Sequence, residues 1–232
     1  MANHPLNGET SPQRDRLAKQ TLRRHVLAQR DSMPAEQRAR LSTAVCARAA
    51  RLPELVAARS LLLFASFRSE VDTSALLSWA LEMGKTVCFP RVQAPRTIAA
   101  YRVTDPKADL TPGAWGIPEP RKDLPEVAPE ALDVVLVPGS VFDIEGRRCG
   151  YGGGFYDTYL LLTRPEAVRV ALAFEAQIVA DVPCEPHDLS VTVVVTESRV
   201  IRPDSGERVW RPEGRDAASP PAEADGAADQ TG

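Results

Sequence analysis

Five short apolar runs constrain the fold of this chain more than any other feature. They are Ser60–Phe67 (SLLLFASF), Lys85–Phe89 (KTVCF), Asp133–Val137 (DVVLV), Val168–Phe174 (VRVALAF) and Val191–Thr196 (VTVVVT). Each has strand length and few polar positions, so both faces of each strand must be covered. Helical periods lie between them. Leu76, Leu77, Ala80 and Leu81 share one face of a helix predicted over Ser69–Met83, with Asp72 or Thr73 as its cap and Gly84 as its stop. A second helix begins at Phe155 and runs to Leu162, and Ile98–Val103 is a further strand after a turn at Pro95. Doubly covered strands alternating with helices predict an α/β fold: a three-layer, open, mostly parallel sheet of Rossmann-like type with helices on both faces.

Ahead of the first strand, Arg14–Arg51 reads as two helices broken at Asp31–Pro34, with Ser32 capping the second. The segment holds ten Lys or Arg against three acids, a composition that describes a solvated helical face. The whole chain of 232 residues nevertheless has a formal net charge of −3, which predicts no general attraction to nucleic acid or to an anionic membrane. No apolar run approaches the ~20 residues of a membrane span, and the N-terminus lacks the apolar stretch of a secretory signal. Cys46, Cys88, Cys149 and Cys184 are dispersed, without a CxxC pair, so reduced thiols are expected and a zinc site is not. Residues 1–13 are predicted to be disordered and 14–203 to form the folded domain. Residues 204–232 are predicted to be a mobile, acidic, Pro-rich tail whose one aromatic is Trp210.

The chemistry concentrates in Val137–Leu160, VPGSVFDIEGRRCGYGGGFYDTYL, which reads as strand, glycine-rich loop and helix start. Gly150, Gly152, Gly153 and Gly154 leave the backbone amides bare, Arg147 and Arg148 precede them, and Asp157 follows. Bare amides, a helix start and guanidinium groups suit a chain of phosphates, and the nearby acid suits the magnesium that such phosphates carry. The loop is neither a P-loop nor GxGxxG. Polar residues follow several predicted strands: Arg68–Glu70, Pro90–Arg91, Pro138–Ser140 and Glu175–Gln177. This placement is coherent with one cleft beyond the strands' carboxyl ends. Lys19 and Arg23 share a helix face, and spacing alone makes them exposed basic residues. Glu70 is either a ring-binding carboxylate or a first-turn helix acid, and Trp115 either a stacking platform or a loop anchor. Asp188 reads as a metal or nucleotide ligand, or as a cap. No nucleophilic serine motif accompanies His187.

With these residues in place, the chain resembles the 5-formyltetrahydrofolate cyclo-ligase family, also called methenyltetrahydrofolate synthetases. The likeness spans Lys19–Glu197. It rests on GRRCGYGGGFYD (Gly146–Asp157), KQTLR (Lys19–Arg23), SEVDT, GIPEP, VPGSVFD and the series AFEAQ, PCEPHD and VTE, in that family's order. The resemblance implies an open α/β fold and a cytoplasmic enzyme. Its reaction is ATP-dependent cyclisation of 5-formyltetrahydrofolate to 5,10-methenyltetrahydrofolate, with Mg²⁺ as cofactor. It further implies that Lys19, Arg148 and Tyr156 are catalytic. ATP would be bound by Lys19, Gln20, Thr21, Leu22 and Arg23, and by the loop Arg148, Cys149, Gly150, Tyr151, Gly152, Gly153, Gly154, Phe155 and Tyr156. Glu70, Trp115, Tyr151 and Phe155 would bind the folate, and Asp157 and Asp188 the metal. The expected partners are these two substrates, with no nucleic acid or membrane, in a monomer or weak homodimer. Phe155 stands where that family usually has tyrosine, Cys149 replaces a common Leu or Ile, and Thr192 replaces a frequent aspartate. Two rivals remain open: a paralogue acting on another formylated or folate-like compound, and a non-enzymatic nucleotide- or RNA-associated protein.

Overall fold

The structure, a computed structural model, describes residues 11–93, 96–185 and 187–203. The N-terminal residues 1–10, the tail with Trp210 and the turn expected at Pro95 lie outside the described residues. The apolar runs become strands β1 (Ser60–Leu62), β2 (Thr86–Gln93), β5 (Val134–Leu136), β6 (Val168–Leu172) and β7 (Val193–Val195). The shorter strands β3 (Thr97–Arg102), β4 (Glu126–Val127) and β8 (Val200–Ile201) complete an eight-stranded sheet. Its order is β8-β7-β6-β5-β1-β2-β3-β4. The five apolar strands run parallel, and the edge strands β8, β3 and β4 pair antiparallel. The mostly parallel sheet expected from the sequence is therefore present.

Alternate residues of these strands feed two separate cores, which is why the runs carry no polar face. Leu61, Leu63, Val134, Leu136, Val170 and Leu172 pack with Val45 and Ala49 of α2 (Ala35–Ala49) and with Leu76 and Ala80 of α3 (Ser74–Glu82). Leu62, Val135, Ala171 and Val194 pack on the other side with Tyr159 and Leu160 of α4 (Phe155–Leu160). The first helix, α1 (Ser11–Ser32), begins inside the stretch expected to lack structure. It does not join the core on either face of the sheet. Its Val26 packs with Val141, Cys149 and Val182 on a small separate sheet, in which Val141–Asp143 pairs with Arg148–Cys149 and with Ile178–Val179.

Capping differs from expectation at one helix. Ser32 Oγ donates to the Gln29 carbonyl at 2.7 Å, closing α1, while α2 starts at Pro34 without a side-chain cap. A donor hydroxyl so placed is better used on the orphan carbonyls of a helix end. At α3 the Asp72 carboxylate accepts the Ser74 amide at 2.9 Å, whereas the Thr73 hydroxyl donates to the Phe64 carbonyl. The helix predicted from Ser69 therefore starts at Ser74, and Ser69–Thr73 is loop.

Candidate active site

From β1 the chain moves to β2 on one side, and from β5 to β6 on the other, so the sheet has its switch point between β1 and β5. In such sheets the crevice beyond the carboxyl ends at that point receives ligands. Here a cleft of ≈ 1090 Å³ opens beside Phe64–Glu70 after β1 and Pro138 after β5. The glycine loop forms one wall, α1 a second, and the Ala114–Glu119 loop a third. Glu175–Gln177 does not reach the cleft. Gln177 is instead buried, and its amide donates to the carbonyls of Gly139 and Ser140 at 3.3 and 3.0 Å, bracing the loop after β5 from behind.

One end of the cleft is cationic. Lys19, Gln20 and Arg23 of α1 line it; Leu27 and Arg30 continue the same helix face, in steps of three or four from Lys19 through Arg23, toward the other end. Thr21 and Leu22 do not. Thr21 is exposed on another face, and Leu22 packs with Val26 in the small core. Lys19 is buried, contrary to its reading as a solvated residue, and its ammonium bonds Glu185 at 3.1 Å and also Asp188. Burial alone would lower its pKa, but the bonds and charges of Asp188 and Glu185 outweigh this and raise it, so Lys19 stays protonated at neutral pH. Arg148 is buried and pairs with Asp157 at 2.5 Å. Arg147 is not part of the cleft: it pairs with Asp143 and Asp181, both at 2.7 Å. Adjacent residues of an extended chain point to opposite sides, so only one of the two arginines faces the cleft.

Three donors at this end, Arg23 Nε, Arg148 Nε and the Tyr156 hydroxyl, are buried without hydrogen-bond partners among the described residues. Buried donors in folded proteins are nearly always satisfied; of the six such unpaired donors among the described residues, these three belong to residues that line the cleft. Gly154 caps α4 with φ of 70°, and a Cβ at Gly153 would lie 2.6 Å from the Phe155 ring. Cys149 borders the cleft but is buried, its sulfur accepting from Arg23 at 3.4 Å.

The other end is aromatic and acidic. The Tyr151 hydroxyl donates to Glu70 Oε1 at 2.5 Å, and Glu70 Oε2 accepts the Phe67 amide at 2.9 Å. Burial raises the Glu70 pKa above the ordinary carboxylate value against the lowering effect of these bonds. Trp115 is 68% exposed and stands edge-on to Phe155 with ring centroids 5.9 Å apart, so the two rings form one wall. Glu70, Trp115, Tyr151 and Phe155 thus share the cleft with Lys19, Arg148 and Tyr156. The sequence reading missed two residues: Arg30, 2% exposed and bonded to Ser69 and Tyr151, and Glu185, the second partner of Lys19. Arg30 continues the Lys19–Arg23 helix face, a signal present in the spacing.

Asp157 and Asp188 are the expected magnesium ligands. Asp157 Oδ1 accepts from Arg148 and from the Leu189 amide, and Asp188 Oδ2 from Lys19 and the Glu185 amide. Each carboxylate keeps a second oxygen without a hydrogen bond among the described residues. Magnesium is commonly held by one or two carboxylates plus substrate phosphates, so two hard oxygens at the cationic end fit it. No cluster of three ligating side chains occurs among the described residues.

An open α/β sheet with a switch-point cleft, cationic at one end and aromatic at the other, defines the class of α/β proteins that bind ligands beyond the carboxyl ends of their strands. The profile of the 5-formyltetrahydrofolate cyclo-ligase family matches residues 15–197, and the chain belongs to that family. The 5-formyltetrahydrofolate cyclo-ligase of Escherichia coli (strain K12) is 32% identical over 183 residues, covering 75% of this chain and 98% of its own. That of Mus musculus is 30% identical over 192 residues, covering 78% and 94%. The NMR structure of Aquifex aeolicus 5,10-methenyltetrahydrofolate synthetase matches with a TM-score of 0.73 and 35% identity, over 84% of this chain and 97% of that one.

Proposed function

We propose that this chain closes 5-formyltetrahydrofolate to 5,10-methenyltetrahydrofolate with conversion of ATP to ADP and phosphate. The observation that supports this reading most is one cleft with two unlike ends, cationic at Lys19, Arg23 and Arg148 and aromatic-acidic at Glu70, Tyr151 and Trp115. The formyl oxygen attacks the γ-phosphorus as its bond to ADP breaks. N10 then adds to the activated formyl carbon, the N10 proton is lost, and the C–O bond breaks to release phosphate. Phosphoryl transfer of this kind needs positioning and charge neutralisation more than a protein nucleophile. Lys19, Arg23 and Arg148 neutralise the phosphates, the Tyr156 hydroxyl donates to them, and Glu70 orients the pterin ring. Asp157 and Asp188 would hold Mg²⁺, which supplies further charge neutralisation at the phosphates. The same reading makes the protein a cytoplasmic one. Among the described residues no helix is long and apolar enough to cross a membrane.

The direct test is absorbance of the methenyl product from purified protein, with and without ATP and Mg²⁺. Absence of an ATP-dependent product from folded protein sinks the reading. Two variants sharpen it. Asp157→Ala is expected to raise the half-saturating Mg²⁺ on the order of 10-fold; an unchanged titration removes Asp157 from the metal site. Gly153→Ala pushes a methyl into the Phe155 ring, and should raise the folate KM about 10-fold with little loss of stability. Steady-state kinetics that match the parent chain would show that Phe155 does not form the folate wall.

A further inference from the structure

Arg30 sits at the end of α1, facing the cleft and almost wholly buried, yet both of its bonded partners are neutral hydroxyls. Its Nε donates to Ser69 Oγ at 3.0 Å and its Nη1 to the Tyr151 hydroxyl at 3.1 Å. Each hydroxyl passes the interaction to a carboxylate: Ser69 donates to Asp31, and Tyr151 donates to Glu70 at 2.5 Å. A hydroxyl that accepts from a guanidinium becomes a stronger donor, so the bonds in such a chain reinforce one another. Three segments distant in sequence meet here: α1, the loop after β1 and the glycine loop. Tyr151 is also half exposed, and a ring in that position has rotamer freedom to lose.

We propose that Arg30 is a positioning residue for the folate: it holds the Tyr151 hydroxyl in place, and through it the Glu70 carboxylate in the orientation that receives the pterin ring. This rests on the reading of the cleft as a two-substrate active site. Arg30 acts through Tyr151 and not by touching the reacting atoms. Removing it should therefore weaken folate use far more than ATP use, and should make the Tyr151 hydroxyl irrelevant.

The test is steady-state kinetics of the full chain in both substrates, with thermal melts, for Arg30→Met, Tyr151→Phe and the double variant. Arg30→Met is expected to raise the folate KM about 30-fold, with the ATP KM within about 2-fold, since a lost charge-assisted bond weighs on one substrate alone. Tyr151→Phe should raise the folate KM about 5-fold in the parent chain and not at all beside Arg30→Met, because groups in one network are non-additive. Equal effects of Tyr151→Phe in both backgrounds overturn the proposal, as does a parallel rise in both KM values accompanied by a lowered melting temperature. Ser69→Ala removes only the hydroxyl that seats Arg30, and covers the case in which Arg30→Met does not fold. It should raise the folate KM about 5-fold, and an unchanged value in folded protein also overturns the proposal. Loss of product from the parent chain defeats the underlying reading and this inference with it. An active parent with additive variants defeats the inference alone.

Discussion

Lys19→Ala is expected to lower kcat/KM for ATP by about 10²- to 10³-fold while leaving the folate KM within a few-fold, the loss seen when one preorganised charge is removed from a transition state. The size follows from its setting. The ammonium is buried and held by Glu185 and Asp188, so it incurs little ordering entropy when a phosphate arrives. Its charge also acts in a cleft wall partly screened from water, where it counts for more than on a surface. Lys19→Arg should recover only part of the loss, because the two carboxylates are arranged around a compact ammonium and not a planar fork. Kinetics with ATP varied at saturating folate decide the matter. If the KM and kcat for ATP are unchanged in Lys19→Ala, Lys19 is a structural ion pair and not a phosphate ligand.

Asp143→Ala carries the largest expected effect on stability, a loss of about 4 kcal/mol, as for breaking a buried charge network. Asp143 is 0% exposed. One carboxylate oxygen accepts the amides of Glu145 and Arg147, both at 3.0 Å, and the other accepts the Val182 amide at 2.9 Å and pairs with Arg147. Alanine leaves those amides without a partner, and the hairpin that leads into the glycine loop loses its pin. Asp143→Asn keeps one acceptor oxygen and should lose about half as much. Urea unfolding read at the midpoint measures both, and a midpoint within error of the parent chain for Asp143→Ala refutes this account. Arg147 belongs to this scaffold and not to the ligand site, so its replacement should cost stability before it costs turnover.

The strands were legible because burial on both faces leaves a continuous apolar run, and such a run has few other uses at that length. The small sheet was not legible. Its strands, Val141–Asp143, Arg148–Cys149 and Ile178–Val179, are two or three residues long and pair across the chain, so no local period announces them. The glycine loop was readable from its own residues as a bare-backbone segment, and it does form one wall of the cleft. The choice between Arg147 and Arg148 was not readable, because it depends on which side of the extended chain meets α1 and which meets Asp143. Lys19 looked like a solvated residue for the same reason: spacing places it on a helix face without saying what that face meets.

By itself the sequence determined the layered α/β class and the order of its elements. These depend on local periodicity and on residue types with few alternative uses. The tertiary structure alone decided that α1 leaves the main sheet to wall the cleft. It also decided that Lys19 meets Glu185 and Asp188, and that Arg30, Tyr151 and Glu70 form one chain of bonds. Those pairings join residues roughly 80 to 170 positions apart. Their energies come from burial and mutual orientation, quantities that exist only once the segments have been brought together.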